Sequence, residues 1–299
     1  MKKYAITIFA AICVSAGFLL AQTDKLTLPK DAETVQATTK KSAAYPENKK
    51  YAELSKVEKF GYVAAKLKQL SLIKKMPDSP KIKDTYIEFG QIQQFIENYA
   101  KRLNKKALNR CGFGDNLQQV FDRASKNAPL IISAFNQAGV NPEAGLYLAM
   151  IESEHCVCLQ SPTGPIGLFQ LNYATAMTYG LKVFKDASPS NPDERCNPKA
   201  SASVAARYLK DTMQQFESKP DKLLYAIAAY NSGEPAVRIA VKFAKSDNFW
   251  SALVDNKKLP AQYRFDNFKL VPKFLAAAII GENPKDFGLN LKPLSSYTE

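Results

Sequence analysis

Glu152 is the residue of this chain best placed for acid–base chemistry. It ends the run Leu146-Tyr147-Leu148-Ala149-Met150-Ile151, which is apolar on nearly every side. A carboxyl at the end of a buried helix is costly to ionise. Desolvation is therefore expected to raise its pKa and keep it protonated near neutrality. A protonated carboxyl aimed into a cleft can give its proton to a glycosidic oxygen. On position alone, a glutamate in a helix's last turn is more often an ordinary solvated one. Two further acids lie near it in sequence. Glu143 sits more than two helical turns earlier and reads as a first-turn acid. Glu154 is the possible second carboxylate.

The thiols imply a compartment. The chain has five cysteines among 299 residues. Its first residues read as an export signal: Lys2 and Lys3, an apolar run from Tyr4 to Leu20, then the small Ala21 and the polar Gln22-Thr23-Asp24. The alternative is an uncleaved membrane anchor, which would give the chain its one route to a membrane. Cleavage removes Cys13 and leaves Cys111, Cys156, Cys158 and Cys196, an even set that suits two disulfides in an oxidising periplasmic or secreted setting. Cys156 and Cys158 are too close to bond each other without strain, so each is expected to reach for Cys111 or Cys196. The spacing fits no common zinc pattern, and neither metal nor cofactor is expected. The formal charge is +13. In an exported chain this favours anionic wall polymers or lipid surfaces over nucleic acid, or is simply a basic solvated surface.

The elements that must position these residues are helical, and strand alternation is scarce. Residues 1–21 form the expected signal peptide and 22–55 a polar basic tether. Residues 56–114 read as a helical N-terminal extension, 115–290 as the catalytic domain and 291–299 as a tail. Leu117, Val120 and Phe121 are expected to begin one amphipathic helix, and Leu130, Ile131 and Phe135 another. Asn141-Pro142-Glu143 is a helix start that runs on to Glu152 and Ser153. Pro162, Gly164, Pro165 and Gly167 mark a loop. Later helices are expected at roughly 200–217, 221–231, 234–246 and 271–281. The class is mainly α, and a monomer is expected.

The order of motifs adds a family. Glu152-Ser153 is followed by Ser161, Gly164, Gly167-Leu168-Phe169-Gln170, Thr175-Ala176 and Tyr179-Gly180-Leu181. Then come Asp193-Glu194-Arg195, Asn197-Pro198, Ala205-Ala206-Arg207-Tyr208-Leu209, Ala229-Tyr230-Asn231-Ser232-Gly233-Glu234 and Val271-Pro272-Lys273-Phe274-Leu275. From residue 117 to 288 the chain resembles the lytic transglycosylases of the SLT type, whose fold is similar to goose-type lysozyme. Within them it is most similar to the branch of membrane-bound lytic transglycosylase D. The resemblance implies a lysozyme-like helical domain that cleaves peptidoglycan glycan strands between N-acetylmuramic acid and N-acetylglucosamine. Glu152 would be the single acid and base, and the sugar's own 6-hydroxyl would close a 1,6-anhydro end. A hydrolytic lysozyme would instead usually place water with a second carboxylate. The resemblance puts Tyr230 beside the acid and Asn231 along the cleft.

The matched positions also have physical readings. Gly164 and Gly167 would let the backbone approach a sugar closely, or simply make a tight turn. Gln170 would offer donors and an acceptor to sugar hydroxyls or an acetamido group, or face solvent. Ser153 and Ser161 would bond to Glu152 or substrate, or cap helix ends. Tyr230 would present its hydroxyl to the carboxyl, or sit in the core.

The chain also departs from the family pattern. Glu154-His155-Cys156-Val157 stands where Gly-Phe-Asn-Pro is common, and Pro165 replaces Ala. Ala261 to Leu270 is longer than the family's segment and lacks its Glu-Thr and Tyr. A carboxylate of Glu154 at the cleft would attract a cationic, deacetylated amino sugar, so a preference for deacetylated peptidoglycan is one expectation. A second function class is a non-catalytic peptidoglycan-binding or scaffold protein on the same fold.

Overall fold

The computed structural model describes residues 45–73, 82–244, 249, 250, 253 and 270–298, with backbone alone for 82–88. The expected signal peptide, residues 22–44 of the expected tether and the 261–269 segment lie outside the described residues.

Nine α-helices are present among the described residues: α1 (Lys56–Gln69), α2 (Ile82–Ala100), α3 (Leu117–Ala138), α4 (Pro142–Ser153), α5 (Tyr173–Thr178), α6 (Pro198–Gln214), α7 (Lys222–Ser232), α8 (Glu234–Ala244) and α9 (Leu270–Glu282). Among these residues β pairing is confined to isolated bridges, two of them joining Ile166 to Gln160 and Leu171. The mainly α architecture agrees with the fold class read from the sequence.

Helix starts follow the local chemistry. Asn116, Asn141, Asn172 and Asn197 each cap a helix by accepting from a backbone N–H of its first turn. At α4 and α6 a proline follows the cap, where its missing N–H costs nothing.

The interior is organised by two helices that are apolar all round. In α4, Ala144 through Ile151 are all buried, and in α9 Val271, Pro272 and Phe274 through Gly281 are buried. Such helices must be enclosed by others. α4 packs on α3 and α9, and α9 packs also on α1, α2 and α7. Each large side chain so buried stabilises the fold by about 1.5–3 kcal/mol. Close approach requires small residues: a Cβ on Gly281 would collide with Tyr147, and one on Gly145 with Phe135.

Three expectations are corrected. The two helices expected between 117 and 138 are one, with Pro129 inside it. Leu117, Val120, Phe121, Ala124, Ala128, Ile131, Ile132 and Phe135 form one unbroken buried stripe, whose burial outweighs the proline's lost hydrogen bond. The end of the expected tether is packed rather than draped: Tyr51 and Leu54 are buried, and the Tyr51 ring lies 4.9 Å from that of Phe287. The expected tail is also anchored. Leu294 is fully buried, and Ser295 Oγ donates to Glu282 at 2.5 Å.

Candidate active site

The loop 156–170 is tied to the ends of α4 and α7, and Lys273 in the first turn of α9 and Tyr230 at the C-terminal end of α7 lie within electrostatic reach of Glu152. Helix α4 ends there because the next residues leave helical geometry: Glu154 (φ 50°) and His155 (φ 60°) are both left-handed. This conformation suits glycine and is unfavourable for residues with a Cβ. Glu154 is held in it by others. Arg102 donates from Nη1 and Nη2 to its two oxygens at 2.7 and 2.6 Å, and the Gly114 N–H adds a third bond at 3.1 Å.

Glu152 is partly exposed, yet its Oε1 is enclosed and has no hydrogen-bond partner among the described residues. Burial pushes its carboxyl up to about 7, against a smaller opposing pull from the Lys273 ammonium. Lys273 stands in the first turn of α9 and donates from Nζ to the Ile151 carbonyl at 3.3 Å. Its neighbours are Glu152, Glu154 and Arg102, and burial pushes its own pKa down.

Tyr230, at the end of α7, lies within electrostatic reach of Glu152. Its hydroxyl, however, donates to the Phe169 carbonyl at 2.7 Å. That bond ties α7 to the loop. A line of aromatic rings continues outward from it. Tyr208 lies edge-on to Tyr230 at 5.3 Å and Tyr179 edge-on to Tyr208 at 5.8 Å, with the Arg207 guanidinium 5.5 Å from the Tyr179 ring. Asn231 follows Tyr230 and is partly exposed.

The loop carries several sequence-predicted residues, and their contacts are largely internal. Ser153 is fully buried, with Oγ donating to the Leu168 carbonyl at 2.7 Å, so it staples α4 to the loop and faces no ligand. Gly167 is buried at φ 94°, and a Cβ there would strike the Arg195 carbonyl. Its glycine serves close backbone packing. Gln170, also left-handed (φ 47°), donates from Nε2 to the Leu159 and Gly167 carbonyls at 2.7 and 2.8 Å. Its amide nitrogen is thereby spent on the loop. Ser161 pairs with Thr163 at 2.9 Å, at the loop's exposed turn. Gly164 (φ 107°) lies there too, with open space around it.

Two disulfides brace the site, Cys111–Cys156 and Cys158–Cys196. Beyond the second, Arg195 is buried against Asp193, with Nε and Nη2 to the carboxylate at 3.0 and 2.8 Å. The His155 ring is fully enclosed, and burial pushes its pKa down to about 3, which keeps it neutral.

The other two acids are engaged elsewhere. Glu154 has a side chain only 3% exposed and is saturated by Arg102 and Gly114. Its charge is therefore not offered to a cleft, which corrects the physical basis for attracting a cationic sugar. Glu143 accepts from Ser71 Oγ at 2.6 Å, at the opposite end of α4 and about 13 Å along the axis from Glu152.

Sequence reasoning missed Arg102 and Lys273 as parts of this site. A lone lysine in the apolar run of α9 is a readable signal. Arg102 gave none, because its partner Glu154 is 52 residues away in sequence.

Comparison with known proteins points to a family. Residues 129–253 match the model of the transglycosylase SLT domain. The chain is 29% identical over 187 residues to the peptidoglycan transglycosylase gp16 of Escherichia phage T7, covering 55% of this chain and 14% of that protein. It is 32% identical over 148 residues to membrane-bound lytic murein transglycosylase D of Escherichia coli, covering 48% of this chain and 29% of that protein. The match thus spans less than a third of either relative. The segment 129–253 is thus similar to a transglycosylase SLT domain, and Glu152 lies within it.

Proposed function

We propose that this chain is an exported lytic transglycosylase. It cleaves peptidoglycan glycan strands between N-acetylmuramic acid and N-acetylglucosamine, with Glu152 as both acid and base. The observation that carries this reading is the Glu152 carboxyl, with an enclosed, unpartnered Oε1 and a pKa pushed up to about 7 inside an SLT domain. Such a group is protonated at working pH without being spent on the protein's own hydrogen bonds. It donates its proton to the bridging oxygen as the glycosidic bond breaks. As a carboxylate it then removes the proton of the muramic acid 6-hydroxyl, whose oxygen attacks C1 and closes a 1,6-anhydro ring. The carboxyl is protonated again, and no water is consumed.

A single working carboxyl favours this route over hydrolysis. Glu154 is held by Arg102, and Glu143 lies at the far end of α4. The same ion pair favours the acetylated polymer as substrate, since among the described residues the site presents no second carboxylate for an ammonium group. Export rests on the amino-terminal apolar run and on two disulfides that persist in an oxidising compartment.

The test is mass spectrometry of muropeptides after digestion of sacculi by the native chain and by Glu152→Gln. The native chain should release 1,6-anhydro ends and the variant none. Equal release by both would overturn the assignment of Glu152. Binding of sacculi by the native chain without any release would instead indicate the non-catalytic binding protein.

A further inference from the structure

Phe113 is one of the few large apolar side chains left exposed, at 53%. Its position is unusual for a stray surface residue. The Lys273 ammonium lies 5.5 Å from the ring centroid, and that same ammonium reaches the carbonyl next to Glu152. The ring is thus one lysine head-group away from the acid, and lies outside the segment 129–253 that matches the SLT domain.

The loop that carries it is pinned at every turn. Cys111 is bonded to Cys156, just beyond the end of α4. The Gly114 N–H donates to Glu154 Oε2, and the Gly114 carbonyl accepts from Lys105 Nζ at 2.8 Å. Asp115 accepts from the Leu108 N–H at 2.8 Å and pairs with Arg123 at 2.7 Å. An exposed aromatic ring on a loop fixed this firmly has already lost the freedom that binding would otherwise cost. Water contact with the ring is unfavourable, and a pyranose offers the apolar C–H face that would cover it.

The geometry points to Phe113 as a stacking platform for one sugar ring of the glycan strand, at the mouth of the cleft and supplied by the N-terminal extension. This rests on the reading of the cleft as a glycan site, and the test separates the two.

Glycan strands freed of peptide are titrated into full-length chains carrying Glu152→Gln, so that nothing is cut. Phe113→Ala in this background should weaken binding about three- to tenfold. Phe113 is exposed, so the substitution leaves the core intact, and an unchanged melting temperature verifies this. Phe113→Trp should retain affinity. It also adds a reporter, since the chain has one tryptophan, Trp250, which is buried. Emission from the new tryptophan should shift to the blue as glycan is added. Undiminished binding by Phe113→Ala, with emission from Phe113→Trp unmoved while glycan binds, would overturn the platform and leave the cleft reading standing. Absence of glycan binding with Phe113 intact would overturn both.

Discussion

Arg102 grips Glu154 through two parallel bonds, Nη1 to Oε1 at 2.7 Å and Nη2 to Oε2 at 2.6 Å, across 52 residues of sequence. The pair fixes a left-handed glutamate at the point where α4 hands over to the cleft loop. Breaking one side leaves a buried, unpaired charge, which costs about 3–5 kcal/mol. Arg102→Ala is therefore expected to lower the melting temperature by about 10 °C. Glu154→Gln keeps the shape but sets an amide NH2 against one Arg102 N–H and removes that guanidinium's counter-charge, so it should also destabilise; the folded fraction should retain the muropeptide product profile. Calorimetry and product analysis of the two variants check this; loss of product in a folded Glu154→Gln would restore a chemical role for this acid.

Glu152→Gln should separate stability from activity. On the proposed function, this substitution removes the acid and should slow release from sacculi by at least about a hundredfold. The carboxyl's enclosed Oε1 has no partner to lose among the described residues, so the fold should be as stable as the native one or slightly more so. Thermal melts beside turnover assays read both effects.

Two buried groups give the chain a distinctive pH response. Glu152 has its pKa raised to about 7, so it binds a proton more tightly when folded, and its contribution to stability falls as pH rises from the ordinary carboxyl range to 7. His155 has its pKa lowered to about 3, so the unfolded state takes up the proton first, and its contribution is lost as pH falls from the ordinary histidine range towards 3. Over the interval where both operate, the slopes oppose. Denaturant titrations should give a nearly flat profile for the native chain there, and in Glu152→Gln a stability that rises with pH.

Activity should follow the protonated fraction of Glu152: high below about pH 7, falling above it. Lys273 opposes the upward push of burial, so Lys273→Met should move the descending limb to higher pH. A limb that stays in place would show that the ammonium does not act on the acid.

The two loop glycines should part company. Gly167→Ala meets the Arg195 backbone at a positive φ and should cost upward of about 2 kcal/mol. Gly164→Ala meets only the conformational penalty, about 1–2 kcal/mol, because the space around it is open. Chemical denaturation of the two single variants makes the comparison.

The helical class, the capped start of α4 and the acid at its end were legible because they rest on local spacing and on caps such as Asn141-Pro142. Roles within the motif were less so. Ser153, Gly167 and Gln170 stand where the family pattern puts them, yet their partners are the carbonyls of Leu168, Arg195 and Leu159, set by how the loop folds back. Single-sequence patterning cannot see a carbonyl brought close in space. For the same reason Glu154 reads as a cleft acid until Arg102 is placed on it. The apolar residues at 117–121 and 130–135 read as two helix starts, but they lie on one continuous buried stripe of α3.

The two disulfides come together at Cys156-Val157-Cys158, so the chain forms two closed covalent rings joined through Val157. Glu152 lies in the ring from 111 to 156 and Gln170 in the ring from 158 to 196. A protease that nicks either ring once cannot separate the pieces until the bridges are reduced. The pieces around Glu152 and Gln170 thus stay tethered after a cut inside either ring, a form of durability separate from what the bridges contribute to the free energy of folding.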